Sequence, residues 1–201
     1  MIRIHLLLIF IIFVFIIFII GCVNYFITKY TVKQDIAEIK KGQDEILKKR
    51  SVEEDNFKKF SKYVNWIIQV SNLEKPVAEY ILTNVLLNSD YPDLMLALID
   101  TESNFNSQAK SIVDARGLCQ VMYDVWKDDS YISAIIYKPD ELFDIDKNIK
   151  CGNYILTKYY NETKDWKKAL VKYSGNATEY YNKVMTRYAE LTFYMNYGEE
   201  K

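Results

Sequence analysis

The sequence predicts an all-α domain carried behind an apolar amino-terminal segment and a short helical stalk. Glycine and proline, the residues that most disfavour a helix, number only 6 and 3 in 201 residues. From residue 57 onward, segment after segment repeats its apolar residues at offsets of three and four, the spacing of one helix face. No alternating run of Val, Ile or Thr is long enough for a strand, and no internal repeat stands out.

The first element is the run IHLLLIFIIFVFIIFII at 4–20, apolar except for His5. With Gly21, Cys22 and Val23 it reaches the roughly 20 residues needed to cross a hydrocarbon core. Two readings fit it. A short positive amino end before the run suits a single uncleaved membrane anchor with the rest of the chain outside. Ile19-Ile20-Gly21-Cys22 also resembles a lipobox, with Cys22 as the acylated residue, although the apolar stretch is long for a cleaved signal. Either way residues 1–30 form the attachment, at the cell membrane, and the remainder is extracytoplasmic. Residues 31–56 are charge-rich. Val32, Ile36, Ile39 and Ile46 are too few for a sustained heptad pattern, so a solvated helical stalk is expected rather than a coiled coil.

The domain proper is expected over 57–197. FKKFSKYVNWIIQVS has helical spacing, and so does PVAEYILTNVLLN, with Pro76 suited to a first helical turn. A third helix opens at Pro92, and a polar loop follows at 103–116. Further helices are predicted after Gly117, over about 146–160 and over 165–173, with ATEYYNKVMTRYAELTFY forming a long last one.

The net charge of −1 gives no basic face for nucleic acid, so no nucleic-acid partner is expected. A single His and the absence of a Cys or His pair at ligand spacing leave a zinc site without support, and no cofactor is expected. Asp144-x-Asp146-x-Asn148 begins like a calcium loop, but Ile149 stands at its glycine position and Ile155 at its final glutamate. Cys119 and Cys151 are read as two small buried side chains in preference to a disulfide.

Glu102 carries the chemical interest. Met95, Leu98 and Ile99 precede it by seven, four and three residues, so it closes an apolar stripe instead of standing on a solvated face. Burial beside apolar groups raises a carboxyl pKa, which is what a proton donor at neutral pH needs. Asp100 leaves the helix on another flank, and its amide variant is expected to matter little.

Around this residue the sequence resembles a known family. Glu102-Ser103-x-Phe105-Asn106-x-x-Ala109-x-Ser111 is similar to the opening signature of the lytic transglycosylases of the goose-lysozyme-like superfamily. Ala115-Arg116-Gly117-Leu118-Cys119-Gln120-Val121-Met122 resembles that family's Gly-Ala-x-Gly-Leu-Met-Gln-Leu-Met block. Asn148-Ile149-x-x-Gly152-x-Tyr154-Ile155 resembles the next helix motif, and Trp166 with Ala169-Leu170-x-x-Tyr173 resembles the segment that ends in Tyr-Asn-x-Gly. Four blocks fall in order over about 90–190.

The resemblance implies a lysozyme-like fold and cleavage of the β-1,4 bond between N-acetylmuramic acid and N-acetylglucosamine, leaving a 1,6-anhydro end. Glu102 would be the single acid and base. Ser111 would sit beside the substrate, Gln120 and Met122 would line the glycan groove, and the Tyr173 hydroxyl would face the carboxylate. The implied partners are peptidoglycan glycan strands and, through the amino-terminal segment, the membrane. The chain departs from the pattern at Cys119, at Asp114 where a turn glycine is common, and at Ser174-Gly175-Asn176. A muramidase of goose-lysozyme type and a non-catalytic peptidoglycan-binding scaffold are the alternatives.

Overall fold

The computed structural model describes residues 2–198, with side chains from residue 15 onward except 32, 35 and 36. The chain divides into two compact units, Met1–Asn56 and Phe57–Lys201. Helix α1 is assigned over Ile2–Ser71, a segment holding no proline and two glycines. It stops at Asn72, which adopts a left-handed φ of 58° and donates its N–H to the Ile68 carbonyl. The predicted membrane run at 4–20 lies largely outside the residues whose side chains are described. Among the described residues, no helix is long and apolar enough to cross a membrane.

In the second unit, prolines open two helices, α2 (Lys75–Asn88) and α3 (Pro92–Ser103). Pro lacks the N–H that would be orphaned there, and its fixed φ suits the first turn. Helix α3 is the centre of the domain. Leu94 through Asp100 are all buried, so the helix is covered on every side, most extensively by α8 (Tyr180–Tyr197) and by α2. Trp66 and Ile67 from the end of α1 belong to the same core, with Trp66 edge-on to Phe105 at 5.8 Å. Helices α6 (Ile145–Thr163) and α7 (Trp166–Tyr173) pack on each other and complete the layer beside α2. Both begin on an aspartate. Asp144 accepts from the Lys147 N–H, and Asp165 from those of Lys167 and Lys168.

The helix expected after Gly117 is the main correction. Residues 115–122 form a small hairpin in which β1 (Ala115–Arg116) pairs antiparallel with β2 (Val121–Met122), Ala115 opposite Met122. Only the four-residue α4 (Tyr123–Trp126) follows, then α5 (Ser130–Ser133) and a 3-10 turn at Pro139–Phe143. Asp114, Gly117 and Gln120 hold φ values of 63°, 75° and 49°. A right-handed helix cannot pass through three left-handed residues. Two-residue strands are too short to carry a readable alternation.

Candidate active site

Helices α3, α4, α6 and α7 and the β1–β2 hairpin meet at one cleft of about 370 Å³, and the five residues singled out from the sequence, Glu102, Ser111, Gln120, Met122 and Tyr173, all line it. Other hollows, about 540 Å³ along the outer face of α6 and about 460 Å³ beside Lys58 and Lys62, are larger and lie away from Glu102. Size does not select the site. Among the described residues, Asp100 and Glu102 are carboxyl groups whose pKa is raised overall, burial being the main cause, and of the two only Glu102 opens on the cleft.

Glu102 sits in the last turn of α3, above Met95, Leu98 and Ile99, which are fully buried. Loss of hydration pushes its pKa up, and a hydrogen bond donated by the Tyr180 hydroxyl partly opposes that by favouring the charged form. Tyr180 is itself 9% exposed, and its hydroxyl, beside Glu102 and shielded from water, is held well above its ordinary range. Among the described residues lining the cleft, Glu102 is the one carboxylate. Asp114, the acidic residue of the neighbouring loop, is held by both Arg116 and Lys110, which lower its pKa.

The tyrosine assignment needs correcting. The Tyr173 hydroxyl does not bond Glu102; it donates to the Cys119 carbonyl at 2.8 Å, and the ring forms cleft wall. Tyr180 takes the place expected for it, stacked on Tyr173 with ring centroids 6.5 Å apart. The sequence alone did not single out Tyr180. One signal was present. Tyr180 and Val184 lie four apart and are both buried, which marks the inward stripe of α8. Tyr181, one residue on, instead lines a separate apolar hollow with Tyr91 and Trp166.

Ser111 and Gln120 are held by backbone. The Ser111 hydroxyl oxygen accepts from the N–H groups of Ala115 (3.0 Å) and Val113 (3.3 Å), so its proton is the part left to donate into the cleft. The Gln120 amide nitrogen donates to the Gly117 and Ala109 carbonyls at 3.0 and 3.2 Å, leaving its oxygen as an acceptor. Arg116, 8% exposed, ties the loop down by two bonds of 2.9 Å to Asp114 and a further pair with Asp140.

Below the hairpin lies Asn148, 1% exposed. Its oxygen accepts from the Cys119 N–H (2.7 Å), and its nitrogen donates to the carbonyls of Leu142 (2.7 Å) and Arg116 (2.9 Å). Asp146, of the same abortive calcium pattern, pairs with Lys150, and Asp144 caps α6. Cys119 and Cys151 are free thiols, both buried. Trp126, Tyr159 and Lys172 also line the cleft, with Lys172 Nζ 5.1 Å from the centre of the Tyr159 ring.

A helical domain whose central helix ends on a shielded carboxylate at a cleft is of the lysozyme-like type. The chain belongs to the transglycosylase SLT domain family, which matches residues 79–195 and so takes in everything from α2 to the last turns of α8. Membership brings a lytic-transglycosylase type of activity toward peptidoglycan in general. No curated protein shows significant similarity to the chain.

Proposed function

We propose that the protein cleaves the β-1,4 bond between N-acetylmuramic acid and N-acetylglucosamine and leaves 1,6-anhydromuramic ends, with Glu102 as the single acid and base. The observation that carries this reading is Glu102 itself: a carboxyl with raised pKa and no second carboxylate among the described lining of its cleft. Ordinary glycosidases use a pair, about 5–5.5 Å apart when retaining and about 6.5–9.5 Å apart when inverting. A lone carboxyl needs a nucleophile from elsewhere, and the muramic C6 hydroxyl is already tethered to the reacting ring.

Protonated Glu102 gives its proton to the glycosidic oxygen as the bond from C1 to that oxygen breaks. The carboxylate so formed is stabilised by the Tyr180 hydroxyl. It then takes the proton of the C6 hydroxyl as O6 bonds to C1, which restores Glu102 and closes the anhydro ring. The free Ser111 O–H and the Gln120 oxygen are suited to the N-acetyl carbonyl and to sugar hydroxyls. Tethered groups reach effective molarities of about 10⁵ M or more, far above water.

We read residues 1–30 as the membrane attachment, 31–56 as a stalk and 57–197 as the catalytic domain. The exposed apolar side chains of Phe15 to Ile20 support an amino-terminal segment that needs an apolar surrounding. A Cys22→Ser variant separates the two attachments: a lipoprotein loses the acyl mass carried on that residue, and a membrane anchor is unchanged in mass apart from the substitution. For the chemistry, digestion of purified peptidoglycan followed by mass spectrometry should give mainly 1,6-anhydromuropeptides. Reducing ends that take up ¹⁸O from labelled water would instead make the protein a muramidase.

A further inference from the structure

Asp100 was expected to matter little, yet its side chain is 2% exposed and its Oδ2 has no hydrogen-bond partner. Arg187 Nε of α8 lies 3.3 Å from that oxygen, an ion pair without hydrogen-bond geometry. With the Asn104 amide turned so that its nitrogen meets acceptors, it donates to Asp100 Oδ1 at 3.2 Å and to the Val70 carbonyl at 3.1 Å. Asp100 therefore joins three elements, α3, α8 and the end of α1, two residues before Glu102. Arg187 and Tyr180 are seven apart, two turns along one face of α8. Helix α8 is thus fixed to α3 at two points, Tyr180 on Glu102 and Arg187 on Asp100.

We propose that Asp100 and Arg187 are a positioning pair that sets the register of α8 on α3 and so holds the Tyr180 hydroxyl on Glu102. The inference rests on the single-carboxylate reading above. An ion pair that buries its carboxylate contributes little net stability, because desolvation offsets the attraction, and the best-attested use of such pairs is to fix registry. The geometry it protects is sensitive, since a displacement of about 1 Å can cost about 100-fold in rate. Tyr180 reaches Glu102 from α8, while Tyr173 of α7 and Cys119 of the hairpin also stand close enough to feel its charge. Asp100 in turn faces Arg187 and, beyond it, Glu190 of α8.

The test uses full-length protein in detergent, with variants Asp100→Asn, Arg187→Gln, Arg187→Lys and the Asn/Gln double. Arg187 is half exposed, so its variants are expected to fold even where Asp100→Asn is weakened. Asp100→Asn and Arg187→Gln should each lower kcat about tenfold or more, with KM changed less than about twofold. The double variant should be no worse than the poorer single one, and Arg187→Lys should recover part of the loss. Titration of ¹³C-labelled Glu102 by NMR gives a readout that needs no turnover. Loss of the Tyr180 bond must raise the Glu102 pKa in Asp100→Asn, whereas simple removal of a nearby negative charge must lower it. A Glu102 titration that is lowered or unmoved in Asp100→Asn would overturn the proposal, as would losses that multiply in the double variant. If wild-type protein makes no anhydro product, the functional reading fails, and the titration still decides the pair.

Discussion

Replacing Tyr180 by Phe removes one oxygen from a site where that oxygen has a single task. The ring stays, stacked on Tyr173 and 9% exposed, so packing is nearly conserved and no cavity larger than a hydroxyl opens. What is lost is the donor to Glu102. A hydrogen bond to a charged group is worth about 1.5–3 kcal/mol. In the proposed first step Glu102 passes from acid to carboxylate, so the bond strengthens as the barrier is climbed. Losing all of it would slow the step about 10- to 150-fold, at 1.36 kcal/mol per factor of ten. The same loss removes the influence that lowers the Glu102 pKa and leaves desolvation unopposed, so that pKa rises. The acid form then persists to higher pH, and the basic limb of the kcat/KM profile moves upward. The assay is release of soluble anhydromuropeptides across a pH series by full-length wild type and Tyr180→Phe. A variant within about twofold of wild type in kcat, with an unshifted basic limb, would refute the role given to Tyr180.

Glu102→Gln should lower turnover at least about 100-fold, the lower end of what general acid–base groups supply. It should also raise the melting temperature at neutral pH. A carboxyl whose folded pKa lies above its ordinary 4.5 costs stability once ionised, and the amide cannot ionise. That gain should vanish as pH falls below 4.5, where the wild-type side chain is protonated too; a stability difference independent of pH would contradict it. Asn148→Ala leaves three buried backbone groups without partners, at about 1–3 kcal/mol each, so chemical denaturation should show a loss of about 3 kcal/mol or more. A loss under about 1 kcal/mol would mean the hairpin is held by something else.

Much of this was legible beforehand. The stripe Met95, Leu98 and Ile99 located α3 and the shielding of Glu102, because helix periodicity survives folding unchanged. Helices α6, α7 and α8 likewise follow from their apolar spacing, and α6 and α7 also from their aspartate caps. The hairpin did not follow, since its conformation comes from three left-handed residues and from a side chain, Asn148, about thirty positions away. Nor did the exchange between Tyr173 and Tyr180. Both hydroxyls are within reach of the same few ångströms, and only the placement of α7 against α8 decides which meets the carboxylate. The ion pair of Asp100 was hidden for the same reason: its flank of α3 was readable, but that α8 covers that flank with an arginine was not.

The departures from the family pattern become intelligible once the cleft is seen to be framed by backbone. Cys119 acts through its N–H, bound to Asn148, and its carbonyl, bound to Tyr173, while its thiol fills a buried space against Gly152. A Cβ at Gly152 would come within 2.6 Å of that sulfur, so the glycine leaves the room that the Cys119 side chain fills. Asp114 meets the demand for a left-handed turn with φ 63° and adds what glycine lacks, two acceptors for the Arg116 guanidinium that pins the Ser111 loop. After Tyr173, Gly175 and Asn176 take positive φ and the Ser174 hydroxyl accepts from the Ala177 N–H, closing the turn that delivers the chain to Tyr180. Each substitution falls where the required element is a backbone direction. Glu102, Ser111 and Gln120, the cleft residues given polar roles above, keep to the pattern.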